Sequence, residues 1–173
     1  MGGADKGLLI FRHRPLITYV LERLAPQVDH LLVSANRNLE TYRGYGYPVL
    51  SDRLGDYQGP LAGMQTGLAA CDTPWLVICP CDCPALPHDL VERLLAAAEV
   101  RGANLAVATT AGHMQPTFQL CRREILPVLD AYLAGGGRKL GAWCRAQQAV
   151  EVEFTDPAAF ENINTPANLD FYE

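Results

Sequence analysis

The side chains able to do chemistry are concentrated in a few turns. One turn is Asp82, at the end of Leu76-Val77-Ile78-Cys79-Pro80-Cys81-Asp82-Cys83-Pro84. A continuous apolar run with β-branched members, closed by proline, reads as a strand buried on both faces. In an open parallel sheet, ligands bind just beyond the carboxyl ends of the strands. Asp82 falls on that edge, between prolines that stiffen the turn. Its carboxylate suits a divalent metal, and it equally suits an ordinary turn aspartate bonding its own backbone. Ser34 and Asn36 close a second predicted strand, and Asp52 closes a third. Each alone fits local turn hydrogen bonding, but together on one sheet edge they form a site as α/β folds build them. A hard cation such as Mg²⁺ often takes one or two carboxylates and completes its shell with substrate phosphates and water. Asp82 fits that sparse arrangement, while Asp52 fits a base or ribose.

Other candidates lie on the flanks. Met1-Gly2-Gly3-Ala4-Asp5-Lys6-Gly7 is glycine-rich and carries a lysine. It reads either as the tail of a phosphate loop, with Lys6 neutralising a nucleotide's phosphates, or as a frayed terminus with a surface lysine. Gly59-Pro60-Leu61-Ala62-Gly63 opens a helix with small residues. That allows either close approach of a ligand to the free N–H groups or close packing of helix on sheet. Asn162 and Asn164 are amides two residues apart, suited to a heterocycle or, for Asn164, to capping the helix begun by Pro166. Arg138-Lys139, after Gly135-Gly136-Gly137, reads as a phosphate clamp or a solvated pair. The alternating Cys79, Cys81 and Cys83 have neither the spacing nor the second pair of a structural zinc site, and read as small buried hydrophobes with turn residues.

These positions need a scaffold, and the periodicity supplies one. Helices are expected over 14–25, 38–43, 61–71, 87–100, 122–133, 138–146 and 166–172. Strands are expected over 28–35, 48–50, 75–79, 104–109, 117–121 and 149–154. Strands alternating with helices argue an α/β fold, a three-layer αβα arrangement with a mostly parallel sheet. At 173 residues, 49% hydrophobic and 19% charged, a single domain is the expectation. A net charge of −5 without a basic run lacks the footprint of a nucleic-acid binder. No apolar stretch is long enough to span a membrane, and the first residues do not read as a signal or transit peptide, so the expected location is the cytoplasm.

Taken in order, Met1-Gly2-Gly3-x-Asp5-Lys6-Gly7, Ser34-Ala35-Asn36-Arg37, Ser51-Asp52, Asp56-Tyr57-x-Gly59-Pro60-Leu61-Ala62-Gly63, Cys79-Pro80-Cys81-Asp82-x-Pro84, Pro116-Thr117 and Asn162-Ile163-Asn164-Thr165-Pro166 resemble the molybdenum cofactor guanylyltransferase family, within the nucleotidyltransferases of Rossmann-like fold. The resemblance runs through nearly the whole chain. It implies transfer of GMP from Mg·GTP to the terminal phosphate of molybdopterin cofactor, with release of pyrophosphate. It further implies that Lys6 binds GTP phosphates, that Ser34, Asn36 and Asp52 contact guanosine beside Gly59, Pro60, Leu61 and Gly63, and that Asp82 ligates Mg²⁺. Gln115, Pro116, Arg138, Lys139, Asn162 and Asn164 would lie toward the molybdopterin half. GTP, molybdopterin cofactor and molybdoenzyme-maturation proteins are the implied partners.

The sequence departs from the family pattern in three places. Ser34 stands where the family usually has asparagine, and Gln115 where it commonly has histidine. A leading strand and L-A-G-G loop are missing ahead of Met1, so the expectation is a start upstream. Unpaired backbone and uncovered apolar surface are expected where that strand would lie. A cytidylyl- or sugar-phosphate nucleotidyltransferase, or a non-catalytic molybdopterin carrier, are the alternative readings.

Overall fold

A computed structural model of the chain describes residues 5–51 and 59–163. The expectations for Asp52, Asn164 and the helix over 166–172 lie outside them. After a 3-10 turn at Lys6–Leu8, the chain forms β1 (Ile10–Phe11), β2 (Arg14–Pro15), α1 (Leu16–Leu24), β3 (Val33–Ser34), α2 (Leu39–Arg43), β4 (Val49–Leu50), α3 (Pro60–Ala70) and β5 (Trp75–Ile78). It continues through α4 (Leu90–Arg101), β6 (Leu105–Thr110), β7 (His113–Arg122), α5 (Leu126–Ala134), α6 (Leu140–Ala146) and β8 (Val150–Phe154).

The larger sheet has the order β5-β7-β6-β8. Its β6 is buried along its whole length, and the two-residue period of a strand divides its side chains between two cores. Leu105 and Val107 join Leu61, Met64 and Leu68 of α3, Leu129 and Leu133 of α5, and Trp143 of α6. Ala106 and Ala108 face the other way, toward Leu90, Leu94 and Ala98 of α4. The small alanines leave room for Phe118, Phe154 and Phe160, whose rings meet edge-to-face at 4.8 and 5.2 Å. Helices thus cover both faces, giving the expected three layers. Each enclosed leucine or phenylalanine contributes about 1.5–3 kcal/mol by leaving water.

The sheet is mixed because β7 runs antiparallel to both β5 and β6, whereas β6 and β8 are parallel. Ala111 and Gly112 join β6 to β7 with φ of 48° and 74°. Positive φ at both central residues is what a twist-matched two-residue hairpin turn requires. Pairing across this hairpin draws His113–Pro116 into β7, which sequence alone starts at Thr117. The register jumps from Val107↔Gln119 to Ala108↔Gln115, leaving Pro116 in a bulge, where its missing N–H breaks no ladder bond.

The expected strand over 28–35 shortens to Val33–Ser34. Its partner β4 offers only the parallel pairs Val33↔Val49 and Ser34↔Leu50. Among the described residues, nothing pairs with the other edge of β3 or of β5. Between them lies a cavity of about 500 Å³, walled by Ile17, Val20 and Leu21 of α1, Val33 of β3, Met64 of α3 and Leu76–Ile78 of β5. Its walls are mainly apolar side chains.

Candidate functional site

The turn after β5 holds Asp82 with its side chain 5% exposed. Two bonds strap the turn to residues 160–163. The Ile163 N–H donates to the Asp82 carbonyl at 2.9 Å, and the Cys83 thiol donates to Oδ1 of Asn162 at 2.8 Å. A carboxylate so enclosed requires a compensating partner. Nζ of Lys6 lies 3.5 Å from its Oδ2, on a side chain that is itself 51% exposed. The pair therefore joins a buried anion to a half-exposed cation.

The neighbouring thiols are held protonated. Burial pushes Cys79 and Cys81 up to about 12, with the negative charge of Asp82 adding to the effect at Cys81. Burial also raises Cys83. Thiols in this state are poor nucleophiles and poor ligands. Among the described residues, no group of three His, Cys, Asp or Glu could hold a metal ion. A metal here would rest on Asp82 and on oxygens from substrate and water, the sparse set that Mg²⁺ accepts.

Sequence reasoning assigned no role to the residues that hold Lys6. Asp5 accepts from the Tyr42 hydroxyl at 2.5 Å and from Nδ2 of Asn38 at 3.0 Å. Tyr42 is 3% exposed, packed with Ile17, Leu21 and Val33. Burial, then the bond to Asp5, raises its hydroxyl above the ordinary tyrosine value. Gly7 fits where nothing larger would, since a Cβ there would meet the Tyr42 oxygen at 2.8 Å and the Cys81 sulfur at 3.0 Å. A signal existed in the four-residue spacing of Asn38 and Tyr42, which puts both on one side of a helix. That this side faces Asp5 is a matter of topology.

Ser34 and Asn36 lie at the polar rim of the cavity, together with Gly59, Pro60, Gly63 and Thr117. Gly59 has φ 79°, a conformation glycine adopts without strain, and Pro60 begins α3 where a missing N–H costs nothing. Leu61 is fully enclosed in the core, so its side chain is not part of this rim. Asp52 lies outside the described residues.

The residues expected toward the second substrate are less unified. Asn162 belongs with the Asp82 turn. Gln115 pairs with Ala108 in β7, and the Pro116 ring is a neighbour of Gly141 at the start of α6. Lys139 is exposed just before α6. Arg138, though exposed, folds back on its own chain, donating from Nη1 to the carbonyls of Leu133 at 2.8 Å and Gly137 at 2.7 Å. That cation satisfies the end of α5, as basic residues do at helix C-termini.

Solved structures share this architecture. Molybdopterin-guanine dinucleotide biosynthesis protein A from Archaeoglobus fulgidus is 19% identical, with TM-score 0.78 over 99% of this chain and 90% of that one. 2-C-methyl-D-erythritol 4-phosphate cytidylyltransferase from Thermus thermophilus is 18% identical, with TM-score 0.73 over 96% of this chain and 91% of that one. The layers and these likenesses define a Rossmann-like fold. The model of the MobA-like NTP transferase domain matches residues 1–150. A molybdenum cofactor guanylyltransferase from Cupriavidus necator is 47% identical over 100% of this chain and 89% of its own length. One from Bordetella petrii is 47% identical over 98% and 88%. The chain belongs to the MobA-like NTP transferase family. Among the described residues, no helix is long and apolar enough to cross a membrane.

Proposed function

We propose that this chain, as a single domain in the cytoplasm, transfers GMP from GTP to the terminal phosphate of molybdopterin cofactor, and hands its product to molybdoenzyme-maturation proteins. The observation that carries the reading is the Lys6–Asp82 pair at 3.5 Å, at the carboxyl end of β5. A phosphate oxygen of the pterin attacks the α-phosphorus of GTP. The bond from that phosphorus to the bridging oxygen breaks, and pyrophosphate leaves with the electron pair. Neither substrate needs a covalent intermediate on the protein, so the protein's work is positioning and charge neutralisation. Lys6, with its open end toward solvent, neutralises the triphosphate. Asp82 would hold Mg²⁺, which would supply Lewis-acid polarisation of phosphate oxygens.

Ser34, Asn36 and Asp52 are assigned to guanosine, Ser34 and Asn36 from the cavity rim beside Gly59, Pro60 and Gly63; Leu61 contributes to that segment through its backbone. Gln115, Pro116, Lys139, Asn162 and Asn164 are assigned to the pterin. Arg138 serves there through the α5–α6 connection it braces. Pyrophosphate release from GTP and molybdopterin tests the reading. The parent is expected to release pyrophosphate only when both substrates and Mg²⁺ are present, and Asp82→Asn to be slower by about a hundredfold or more. Release from GTP without a pterin acceptor, or an unimpaired Asp82→Asn, would contradict it.

A further inference from the structure

Lys6 is set on a short 3-10 turn, Lys6–Leu8, which by itself is too small to fix a long flexible side chain. What fixes the turn comes from elsewhere in the chain. On one side Asp5 is tied through both carboxylate oxygens, to Tyr42 at 2.5 Å and to Asn38 at 3.0 Å. On the other side Gly7 sits against Cys81, next to Asp82. Residues 5–7 are thus gripped between α2, which belongs to the β3-β4 side of the cavity, and the Asp82 turn, which belongs to the larger sheet.

The grip has features of a positioning device. Tyr42 brings its hydroxyl into the protein interior, where a tyrosine oxygen must find a partner. A phenylalanine would fill the same space without that demand. The partner it meets is a carboxylate, and hydrogen bonds to charged groups are the shorter and stronger kind. Asn38, the cap residue just before α2, lies in the left-handed region with φ 52°, a conformation asparagine tolerates better than most residues. From there its amide reaches the second oxygen of Asp5. Both bonds end one residue from Lys6.

We propose that Asp5, Tyr42 and Asn38 form a brace that positions Lys6 for phosphate binding, with Tyr42 as the residue on which it turns. The proposal rests on the role assigned to Lys6 in the proposed function. The brace makes the cation's placement depend on α2, so that the side of the molecule carrying Ser34 and Asn36 and the side carrying Asp82 act on one substrate in register.

The test uses the chain's two lysines, Lys6 and Lys139, as paired reporters. Reductive methylation with ¹³C-formaldehyde puts methyl groups on both amines and keeps their charge, and NMR relaxation then reads the order of each side chain. In Tyr42→Phe, the Lys6 methyl signals are expected to become markedly more mobile while those of Lys139 stay unchanged. Asp5→Ala is expected to do the same. In the transferase assay, Tyr42→Phe is expected to lower kcat by about tenfold, with the KM for the pterin substrate little changed, because misplacing a charge harms the reacting geometry most.

Unchanged Lys6 relaxation in both variants would overturn the brace, whatever the activity. A change at Lys6 and Lys139 alike would also overturn it, by showing general loosening. Mobility confined to Lys6 in a protein that transfers no nucleotide would keep the brace and refute the proposed function. Ordinary activity in the parent with an unaltered kcat in Tyr42→Phe would keep the function and refute the brace's part in it.

Discussion

Along β6, successive side chains meet α3, α5 and α6 on one face and α4 on the other, and Phe118, Leu90 and Leu129 are wholly enclosed. Across the cavity, β3 and β4 share two residue pairs, and Leu21 and Val33 keep about a twelfth of their surface open at 8%. One region is closed on itself, while the other borders the cavity. The candidate site residues Lys6, Ser34, Asn36 and Asp82 lie along the boundary between the two rather than inside either. The difference teaches a division of labour. In the proposed function the β5-β7-β6-β8 region supplies rigidity to Asp82, and the region around β3 and β4 supplies Ser34 and Asn36.

Truncation separates the two regions most strongly. Phe118→Ala is expected to cost about 3–5 kcal/mol, since both its aromatic partner and close packing are lost. Leu21→Ala, next to a cavity that already exists, is expected to fall at the low end, about 2 kcal/mol. Urea unfolding monitored by circular dichroism measures both, and equal costs would erase the distinction. Enlargement works in the opposite sense. Ala106→Leu must push into a filled core and is expected to cost about 1–3 kcal/mol, whereas Val20→Leu grows into the cavity and is expected to change stability by less than about 1 kcal/mol. A Val20→Leu penalty as large as that of Ala106→Leu would show that the cavity cannot accept a methylene.

The smallest effect near neutral pH concerns the seam itself. Cys79 and Cys81 have folded-state values raised to about 12 from the ordinary 9.0. Above pH 9 the unfolded chain releases these protons while the folded chain keeps them, so the unfolded state binds fewer protons and stability falls as pH rises. Stability should be insensitive to these thiols below pH 9 and decline from there toward 12. Replacing both by alanine should make that decline shallower in a pH series of thermal unfolding, leaving the part due to Cys83, Cys121 and Cys144, which burial also raises. A decline of the same steepness in the double variant would assign it to other groups.

Much of the three-layer order was legible in the sequence, because helices such as α1 and α4 carry their apolar stripe in local spacing and β5 is an unbroken apolar run. The edge position of Asp82 followed from that run. What the sequence did not carry was pairing. The reach of β7 back to His113 depends on a hairpin partner, and the reduction of 28–35 to Val33–Ser34 depends on how little of β4 lies opposite it. Arg138 reads as a phosphate clamp or a solvated pair from its neighbours, but the carbonyls it caps become available only once α5 ends at Ala134. The Tyr42–Asp5 bond joins residues 37 positions apart, and no local pattern announces it.

The central claim is that Asp82 is the metal-binding acid for a nucleotide that Lys6 also engages. Isothermal titration of GTP into the protein, with and without Mg²⁺, tests it most directly. The parent should bind GTP substantially more tightly with Mg²⁺ than without, and Asp82→Ala should lose that metal-dependent difference. Equal metal-dependent binding by the parent and Asp82→Ala would contradict the account.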